Sequence, residues 1–276
     1  MKDLDLDSIP GLLPSLVRAN GSSAMKGWLE NITGNAGFVM IAGPCRVESE
    51  DQIDDIASFL SSRGVKFLRA GAFKPMTFPT GTAPLGLDGL KILQAIGQKY
   101  GLKIVSEIMD PRHVEECAPY LDVIQIGARN MQNYDLLAEA GSSQVPILLK
   151  RHPGASLRDW LGAGEWICSR NNDMLMLCER GVSTPHTHEP NARWLLDITS
   201  PLAVSEIFPN IPVIMDPSHA CGVRRRVKNL TLASKAVGAA GAIVEVHYDP
   251  DSSLSDPLQA INYATFDELL AGLGEQ

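Results

Sequence analysis

The chain of 276 residues is 45 % hydrophobic and 20 % charged, values of an ordinary globular protein that can bury a large core. Its formal net charge of −8 argues against a nucleic-acid-binding protein, because no broad basic surface offsets the excess of acids. The five cysteines are scattered and include no CxxC pair, which argues against a disulfide scaffold. The sequence shows no basic segment followed by an apolar one at its start, and no apolar run of about 20 residues, which argues against a secreted protein and a membrane protein. We therefore expect a cytoplasmic protein.

Residues 1–35 form an N-terminal extension, in which weak periodicity predicts a short helix near residues 12–17 and a turn or hairpin around residues 32–35. The extension is too short for an independent regulatory domain. From residue 36 to residue 276, apolar runs alternate with stretches of helical character. The eight runs are FVMIAGPC (38–45), VKFLRAGAFK (65–74), LKIVSEIMD (102–110), DVIQIGAR (122–129), PILLKR (146–151), MLMLCER (174–180), PVIMDPSH (212–219) and AIVEVH (242–247). This pattern predicts an α/β fold, a single (β/α)8 TIM barrel, with its active site at the carboxyl ends of the strands.

The segments between the strands predict helices and two long loops. Ser49 can cap a helix over residues 49–63, with Gln52 at the reciprocal position of a capping box. Further helices are expected over residues 86–100, 225–239 and 258–270, and from starts near residues 111, 130 and 156. The loops 73–84 and 181–191 are long for a compact fold, which is typical of functional segments.

Four residues that can bind a metal ion follow neighbouring strands. Cys45 follows strand 1, His219 strand 7 and Glu245 strand 8, and Asp256 lies in the loop beyond strand 8. Because strands 7, 8 and 1 are adjacent in a closed barrel, the four side chains can converge on one divalent ion. Mixed sulfur, nitrogen and oxygen ligands suit Mn, Fe, Co or Zn better than Mg or Ca. Taken singly, Cys45 also fits a small buried hydrophobe and Glu245 an ordinary ion pair.

Cations surround the same predicted strand ends, after strands 2, 4, 5 and 6. They are Arg69, Lys74, Arg129, Lys150, Arg151 and Arg180. So many cations around one pore are unfavourable unless an anion neutralises them, and arginine binds phosphate and carboxylate in bidentate fashion. We therefore predict a ligand with several negative charges, such as a phosphorylated carboxylate. The alternative is pairing with nearby acids, and we expect both to hold in part. The acids available are Glu107, Asp110, Glu179 and Asp216.

The histidines other than His219 are less informative. His247 shares a strand face with Glu245, so it can support that side chain. His186 and His188 either touch a substrate or are solvated loop residues. His113 and His152 have no distinguishing context.

Segments spread in order along residues 38–270 resemble one known family. They are AGPCRVES (42–49), LRAGAFKP (68–75), SEIMDPR (106–112), QIGARNMQN (125–133), LLKR (148–151), CERG (178–181), DPSHACG (216–222), VEVHYDP (244–250) and SD (255–256). The chain resembles the 3-deoxy-arabino-heptulosonate 7-phosphate (DAHP) synthases, in the branch close to the 3-deoxy-manno-octulosonate 8-phosphate synthases. The resemblance implies a metal-dependent, aldol-type condensation of phosphoenolpyruvate with an aldehyde sugar, of the kind that opens the shikimate pathway to aromatic amino acids.

By this resemblance, functional residues can be assigned by position. The implied ligands of a divalent metal ion are Cys45, His219, Glu245 and Asp256; Mn²⁺ is expected, with Fe²⁺, Co²⁺ and Zn²⁺ as alternatives. The implied contacts of phosphoenolpyruvate are Arg69, Lys74, Arg129, Lys150 and Arg180. Lys74 is the expected proton donor, and it forms the catalytic set with Cys45 and His219. Thr77 and Arg193 are further expected substrate contacts. The family also implies a homodimer or homotetramer.

The acceptor half of the predicted site departs from the family pattern. After Lys74-Pro75 the heptulosonate synthases usually have an arginine that binds the phosphate of erythrose 4-phosphate, and here Met76 precedes Thr77. Methionine cannot bind phosphate. Trp194 also stands where an asparagine usually follows Arg193. We therefore predict either erythrose 4-phosphate held by other groups, with Arg224 and Arg225 as candidates, or a different aldehyde.

Three functions compete. The leading hypothesis is a DAHP synthase, a transferase that forms a C–C bond, and the second is a paralogue in specialised metabolism with another acceptor, which Met76 favours. An octulosonate-type synthase fits the motifs less well. A non-catalytic barrel that binds a metabolite is the third, and the complete set of four potential metal ligands argues against it.

Overall fold

The computed structural model describes residues 10–34, 37–74, 83–185 and 190–274. Eight parallel strands form a closed barrel in which each strand pairs with its neighbours in chain order and β8 pairs with β1. The strands are β1 (Val39–Gly43), β2 (Phe67–Arg69), β3 (Lys103–Glu107), β4 (Val123–Ile126), β5 (Ile147–Lys150), β6 (Leu175–Glu179), β7 (Val213–Met215) and β8 (Gly241–Glu245). The predicted (β/α)8 barrel is confirmed. Each strand is shorter than the apolar run that predicted it. Cys45, Arg180 and His219 lie beyond the strand ends, whereas Arg69, Lys150 and Glu245 are the last residues of β2, β5 and β8.

Helices follow the strands and cover the barrel. They are α1 (Pro14–Ser22), α2 (Ala24–Thr33), α3 (Glu50–Ser62), α4 (Gly86–Tyr100), α5 (Val114–Cys117), α6 (Tyr134–Ser142), α7 (Leu157–Cys168), α8 (Ser200–Ile207), α9 (Pro217–Cys221), α10 (Arg224–Ala236) and α11 (Tyr263–Gly274). The predicted bounds of α3 and α4 agree with the structure to within one residue. Ser49 caps α3 as expected, but the side chain of Gln52 accepts from Glu48 N rather than from the cap residue itself.

Two predicted helix starts were wrong, and a third begins as a 3-10 turn. The helix expected near residue 130 begins at Tyr134, because Ala128–Asn130 is a 3-10 turn and Asn133 supplies the cap. The helix expected near residue 258 begins at Tyr263. Near residue 111, a 3-10 turn precedes a single helical turn.

The N-terminal helices pack on the barrel. Met25 and Leu29 of α2 are buried against inward-facing side chains of all eight strands, so α2 closes the barrel at the end opposite the strand carboxyl ends. The turn or hairpin predicted around residues 32–35 was wrong in its described part: α2 continues through Thr33 and ends at Gly34, whose φ is 65°. Among the described residues, no helix is long and apolar enough to cross a membrane.

Helix α1 is fastened to α7 by its free N-terminal amides. The carboxylate of Glu165 in α7 accepts from Ser15 N at 3.0 Å and from Leu16 N at 2.8 Å. These donors have no partner inside their own helix, and a carboxylate is also favoured there by the helix dipole. The extension therefore docks by a polar cap as well as by apolar burial.

Candidate active site

The carboxyl ends of the strands open into a cavity of about 1010 Å³. Nine of the predicted site residues line it. They are Cys45, Arg69, Lys74, Arg129, Lys150, Arg180, Arg193, His219 and Asp256. Glu245 is not one of the lining residues, and it is buried, with 1 % of its surface exposed. The structure thus brings the predicted metal-binding and anion-binding residues to one site.

The four predicted metal ligands converge. One potential ligand atom from each of Cys45, His219, Glu245 and Asp256 lies within 4.8 Å of the others. The β1–β8 register explains part of this, since Gly43 pairs with Glu245 and Cys45 follows two residues later. Gly43 is also needed for packing, because a Cβ there would lie 2.1 Å from the backbone oxygen of Arg69. Ligation by these four residues stays a prediction.

His219 is oriented by Asp216. The short helix α9 begins after Asp216, whose carboxylate caps it by accepting from His219 N at 3.0 Å. The same carboxylate lies 2.9 Å from His219 Nδ1, which places the ring proton there and turns Nε2 toward Glu245 Oε1 at 3.2 Å. Burial lowers the pKa of His219 although Asp216 opposes that shift. When the ring is neutral, a lone pair of His219 Nε2 faces a lone pair of Glu245 Oε1. A cation bound between the two atoms would remove this repulsion.

The other side of the cluster holds Cys45, Asp256 and Lys74. The Cys45 thiol donates to Asp256 Oδ2 at 3.1 Å, and Lys74 Nζ donates to the same oxygen at 2.5 Å and to Cys45 Sγ. Burial and the nearby Glu245 carboxylate raise the pKa of Cys45 to about 12. Burial opposes a raised pKa for Lys74, but Cys45, Glu245 and Asp256 outweigh it. The Lys74 ammonium lies against the Cys45 sulfur and an Asp256 oxygen, so these atoms already surround one positive charge. The sulfur, nitrogen and oxygen atoms of the cluster therefore fit a divalent metal ion as ligands.

Two carboxylates of the site remain ionised despite burial. Burial would raise the pKa of Glu245, but His219, Arg69 and Lys74 together lower it to about 2. Asp256 behaves in the same way, with burial outweighed mainly by Lys74 and His219. The cluster therefore offers two negatively charged oxygen ligands across the neutral pH range.

Buried cations form the wall beside the cluster. Arg69 and Lys150 are each 4 % exposed, and Arg69 Nε has no hydrogen-bond partner among the described residues. Burial lowers the pKa of Arg180 although Asp216 opposes the shift. Exposed Arg129 lines the same wall. A dianionic ligand would satisfy the unpaired donor and offset the cost of burying these charges.

The predicted pairing with acids is present in part. Lys150 Nζ donates to Asp216 at 2.5 Å. Arg151 does not line the cavity: it is buried behind the wall against Glu179 at 3.1 Å and Asp197 at 2.9 Å. The expectation that Arg151 faces the pore was wrong, because successive residues of a strand point to opposite sides.

Glu107 and Asp110, two acids that could pair with the predicted cations, have other partners. Glu107 lines the cavity, where it accepts from Gln125 at 3.4 Å rather than from a cation in the described contacts. Asp110 pairs with exposed Arg112 at 2.5 Å, on the protein surface. Neither acid therefore orients one of the predicted cationic wall residues.

Arg193 lines the cavity, and its contact with a substrate stays a prediction. Its Nη2 donates to Asp256 Oδ1 at 2.6 Å, so the described contact is to a candidate metal ligand. Arg224, a candidate for the acceptor phosphate, instead donates to Asp251 at 2.6 Å and to Pro257 O. His247 bonds Gln52 and Asp249 N rather than Glu245. Thr77, a predicted substrate contact, lies outside the described residues, and so do Met76, His186 and His188.

The sequence patterns predicted no role in the site for His152, Trp194 or Gln259. His152 lines the cavity, and its position two residues beyond Lys150 could have indicated this, since both fall on one strand face. Trp194 also lines the cavity. Gln259 donates to Glu245, and no sequence pattern marked it.

The chain is similar to known proteins in both sequence and fold. The family model described as DAHP synthetase I family matches residues 22–276. Phospho-2-dehydro-3-deoxyheptonate aldolase of Thermotoga maritima is 43 % identical over 238 residues, which cover 86 % of this chain and 69 % of that protein. 2-Dehydro-3-deoxyphosphooctonate aldolase of Syntrophotalea carbinolica is 33 % identical, over 81 % of this chain and 84 % of that protein.

Two solved structures from Thermotoga maritima are also similar. A crystal structure of its DAHP synthase has a TM-score of 0.82 and 41 % identity, and the match covers 87 % of this chain and 69 % of that one. A truncated form of its 3-deoxy-D-arabino-heptulosonate 7-phosphate synthase has a TM-score of 0.78 and 39 % identity, with 87 % of both chains covered.

Proposed function

The chain belongs to the DAHP synthetase I family, and from that premise we propose that it condenses phosphoenolpyruvate with erythrose 4-phosphate. The products are 3-deoxy-arabino-heptulosonate 7-phosphate and inorganic phosphate. The observation that carries the proposal is a single cavity that combines a thiol, imidazole and carboxylate cluster with a wall of buried cations. A phosphorylated carboxylate fits that wall, and an aldehyde oxygen fits the cluster.

A divalent metal ion would be held by Cys45, His219, Glu245 and Asp256, where it supplies Lewis acidity to the aldehyde oxygen. Mn²⁺ is the proposed ion, and Fe²⁺, Co²⁺ and Zn²⁺ share the required ligand preference. Asp216 holds the imidazole of His219 in the tautomer that leaves Nε2 available as a ligand.

The cationic wall would bind and orient phosphoenolpyruvate. Arg129, Lys150 and Arg180 offer charges for its phosphate and carboxylate, and Arg69 offers the Nε donor that lacks a partner among the described residues. Fixing both anionic groups directs C3 of phosphoenolpyruvate toward the aldehyde carbon. Phosphoenolpyruvate bound in this orientation would hold C3 close to the aldehyde carbon before the bond forms.

Lys74 would deliver the proton that the condensation requires. A C–C bond forms between C3 and the aldehyde carbon, and the aldehyde oxygen takes up a proton from Lys74 Nζ. Water adds to C2 and loses one proton, which restores the ammonium of Lys74. The C2–O bond to the phosphate then breaks as the new hydroxyl becomes the C2 carbonyl, and inorganic phosphate leaves with the proton of that hydroxyl. Despite burial, the carboxylates of Glu245 and Asp256 raise the pKa of Lys74 and so favour its protonated form before the reaction.

A phosphate-release assay with Mn²⁺ tests this proposal. Phosphoenolpyruvate is supplied with erythrose 4-phosphate, with arabinose 5-phosphate, or with unphosphorylated aldoses of the same length. Rapid turnover with erythrose 4-phosphate alone supports the DAHP synthase. Absence of turnover with every aldehyde, while phosphoenolpyruvate still binds, contradicts it.

A second candidate is a paralogous synthase that uses a different aldehyde. Met76 replaces the arginine expected on the acceptor phosphate, Arg193 contacts Asp256, and Arg224 contacts Asp251. These observations favour an acceptor without a phosphate at that position. Selective turnover with an unphosphorylated aldose in the same assay would support this function. A location in the cytoplasm and assembly as a homodimer or homotetramer stay predictions.

A further inference from the structure

The two carboxylate oxygens of Glu245 have different partners. Oε1 accepts from Arg69 Nη1 at 2.8 Å and lies 3.2 Å from His219 Nε2, so it faces the cluster. Oε2 accepts from the side-chain Nε2 of Gln259 at 2.6 Å. Glu245 and Gln259 are each 1 % exposed, so bulk water does not compete for this contact. The amide of Gln259 therefore fixes the rotation of the carboxylate.

Gln259 is placed by the turn that also places Asp256. Asp256 has a φ of 54°, and its backbone oxygen accepts from Gln259 N at 3.2 Å. Two residues later, Ile261 N donates to the backbone oxygen of Glu245 at 2.9 Å. One short segment, 256–261, thus supplies one candidate ligand and holds both the backbone and the side chain of another.

The amide of Gln259 is not explained by packing alone. Its Oε1 is buried and has no hydrogen-bond partner among the described residues. A buried acceptor without a partner destabilises a folded protein, and an apolar side chain of similar length would avoid that cost. The donor half of the same amide is used on Glu245, which indicates that the contact serves the site.

We propose that Gln259 is a positioning residue of the metal site, whose amide holds Glu245 so that the carboxylate offers Oε1 alone to a divalent ion. The inference rests on the proposed metal-dependent function and adds a residue to it. Groups that orient metal-bound side chains typically contribute about 10- to 100-fold to metal affinity. The effect of Gln259 should therefore be seen in metal affinity.

The test compares the full-length protein with its Gln259→Met variant, in which the side chain keeps its length but loses both polar atoms. Co²⁺ is titrated into the metal-free proteins, and its absorption, including the charge-transfer band of a bound thiolate, gives the dissociation constant. Urea unfolding of the metal-free proteins gives their stability. We expect Q259M to bind Co²⁺ about 10- to 100-fold more weakly. The metal-free variant should also lose some stability, because Glu245 Oε2 then lacks its donor.

Gln94→Met is the matched control. Gln94 lies in α4, where its amide donates to Pro119 O at 2.9 Å, far along the chain from every candidate ligand. Its substitution should leave Co²⁺ affinity unchanged. Equal Co²⁺ affinity of Q259M and wild type would overturn this inference and leave the proposed metal site standing. A wild type that shows no thiolate band with Co²⁺ would overturn the proposed metal site itself.

Discussion

Replacing Asp216 by asparagine should destabilise the barrel strongly, although the side chain keeps its shape. Asp216 is 1 % exposed and accepts from Lys150 Nζ at 2.5 Å, from His219 Nδ1 at 2.9 Å and from His219 N at 3.0 Å. The variant leaves the Lys150 ammonium, itself 4 % exposed, without its carboxylate. Removing one partner of a buried ion pair typically costs about 3–5 kcal/mol. Urea unfolding of the metal-free D216N protein at pH 7 should show a loss of that size.

The exposed pair of Asp173 and Arg18 supplies the matched control. Its side chains are 21 % and 42 % exposed, so Asp173→Asn should cost less than about 1 kcal/mol. A D216N protein that loses no more stability than D173N would refute the reasoning. It would mean that the Lys150 ammonium is neutralised or hydrated in some other way.

The Asp216 contribution also has a defined pH dependence. Burial would raise the pKa of Asp216, but His219 and Lys150 outweigh it, so the folded-state pKa lies well below 3.8. A carboxyl with a depressed folded-state pKa stabilises the fold fully above its unfolded pKa, and that stability is lost as the pH falls through the folded pKa. The stability difference between wild type and D216N should therefore be constant above about pH 5 and shrink below about pH 4.

The packing and the site lead to three further predictions. Leu29→Ala opens a cavity where α2 meets the barrel interior, so urea unfolding should show a loss of about 2–5 kcal/mol in the free energy of unfolding. The KM for phosphoenolpyruvate should stay unchanged, and a changed KM with normal stability would contradict the placement of Leu29. Gly43→Ala places a Cβ 2.1 Å from Arg69 O at a φ of 147°, so weaker binding of phosphoenolpyruvate is expected in calorimetry, and wild-type affinity would contradict the required close approach. Lys74→Met should lower kcat at least about 100-fold in the phosphate-release assay, because it removes the proton donor, and a normal kcat would assign that step to another group.

The barrel could be predicted from the sequence because its information is local and repeated. Each strand lies in an apolar run that is easily recognised in the sequence. The charged and metal-binding side chains follow at the carboxyl end of each run, and a closed parallel barrel brings these ends together. The convergence of Cys45 with Glu245 follows from strand adjacency alone. The same logic failed for Arg151, because alternation along β5 turns it away from the cavity that Lys150 faces.

The remaining features depend on contacts between distant residues, which no single-chain pattern records. The helix α2 is amphipathic, but the surface that its apolar face covers is the barrel interior, which is built from residues far away along the chain. Arg193 and Gln259 reach Asp256 and Glu245 through the shapes of two loops. Hydrogen-bond partners across loops depend on turn geometry, such as the left-handed conformation of Asp256, and aspartate alone does not predict it.

The activity proposed for this protein is a metal-dependent condensation at the cluster of Cys45, His219, Glu245 and Asp256. The most direct measurement is phosphate release from phosphoenolpyruvate and erythrose 4-phosphate, with and without Mn²⁺, in the wild type and in His219→Ala. We predict turnover that needs both Mn²⁺ and the aldehyde, stops with a chelator, and is abolished in H219A. Unchanged activity of H219A, or wild-type turnover that persists in chelator, would contradict the claim.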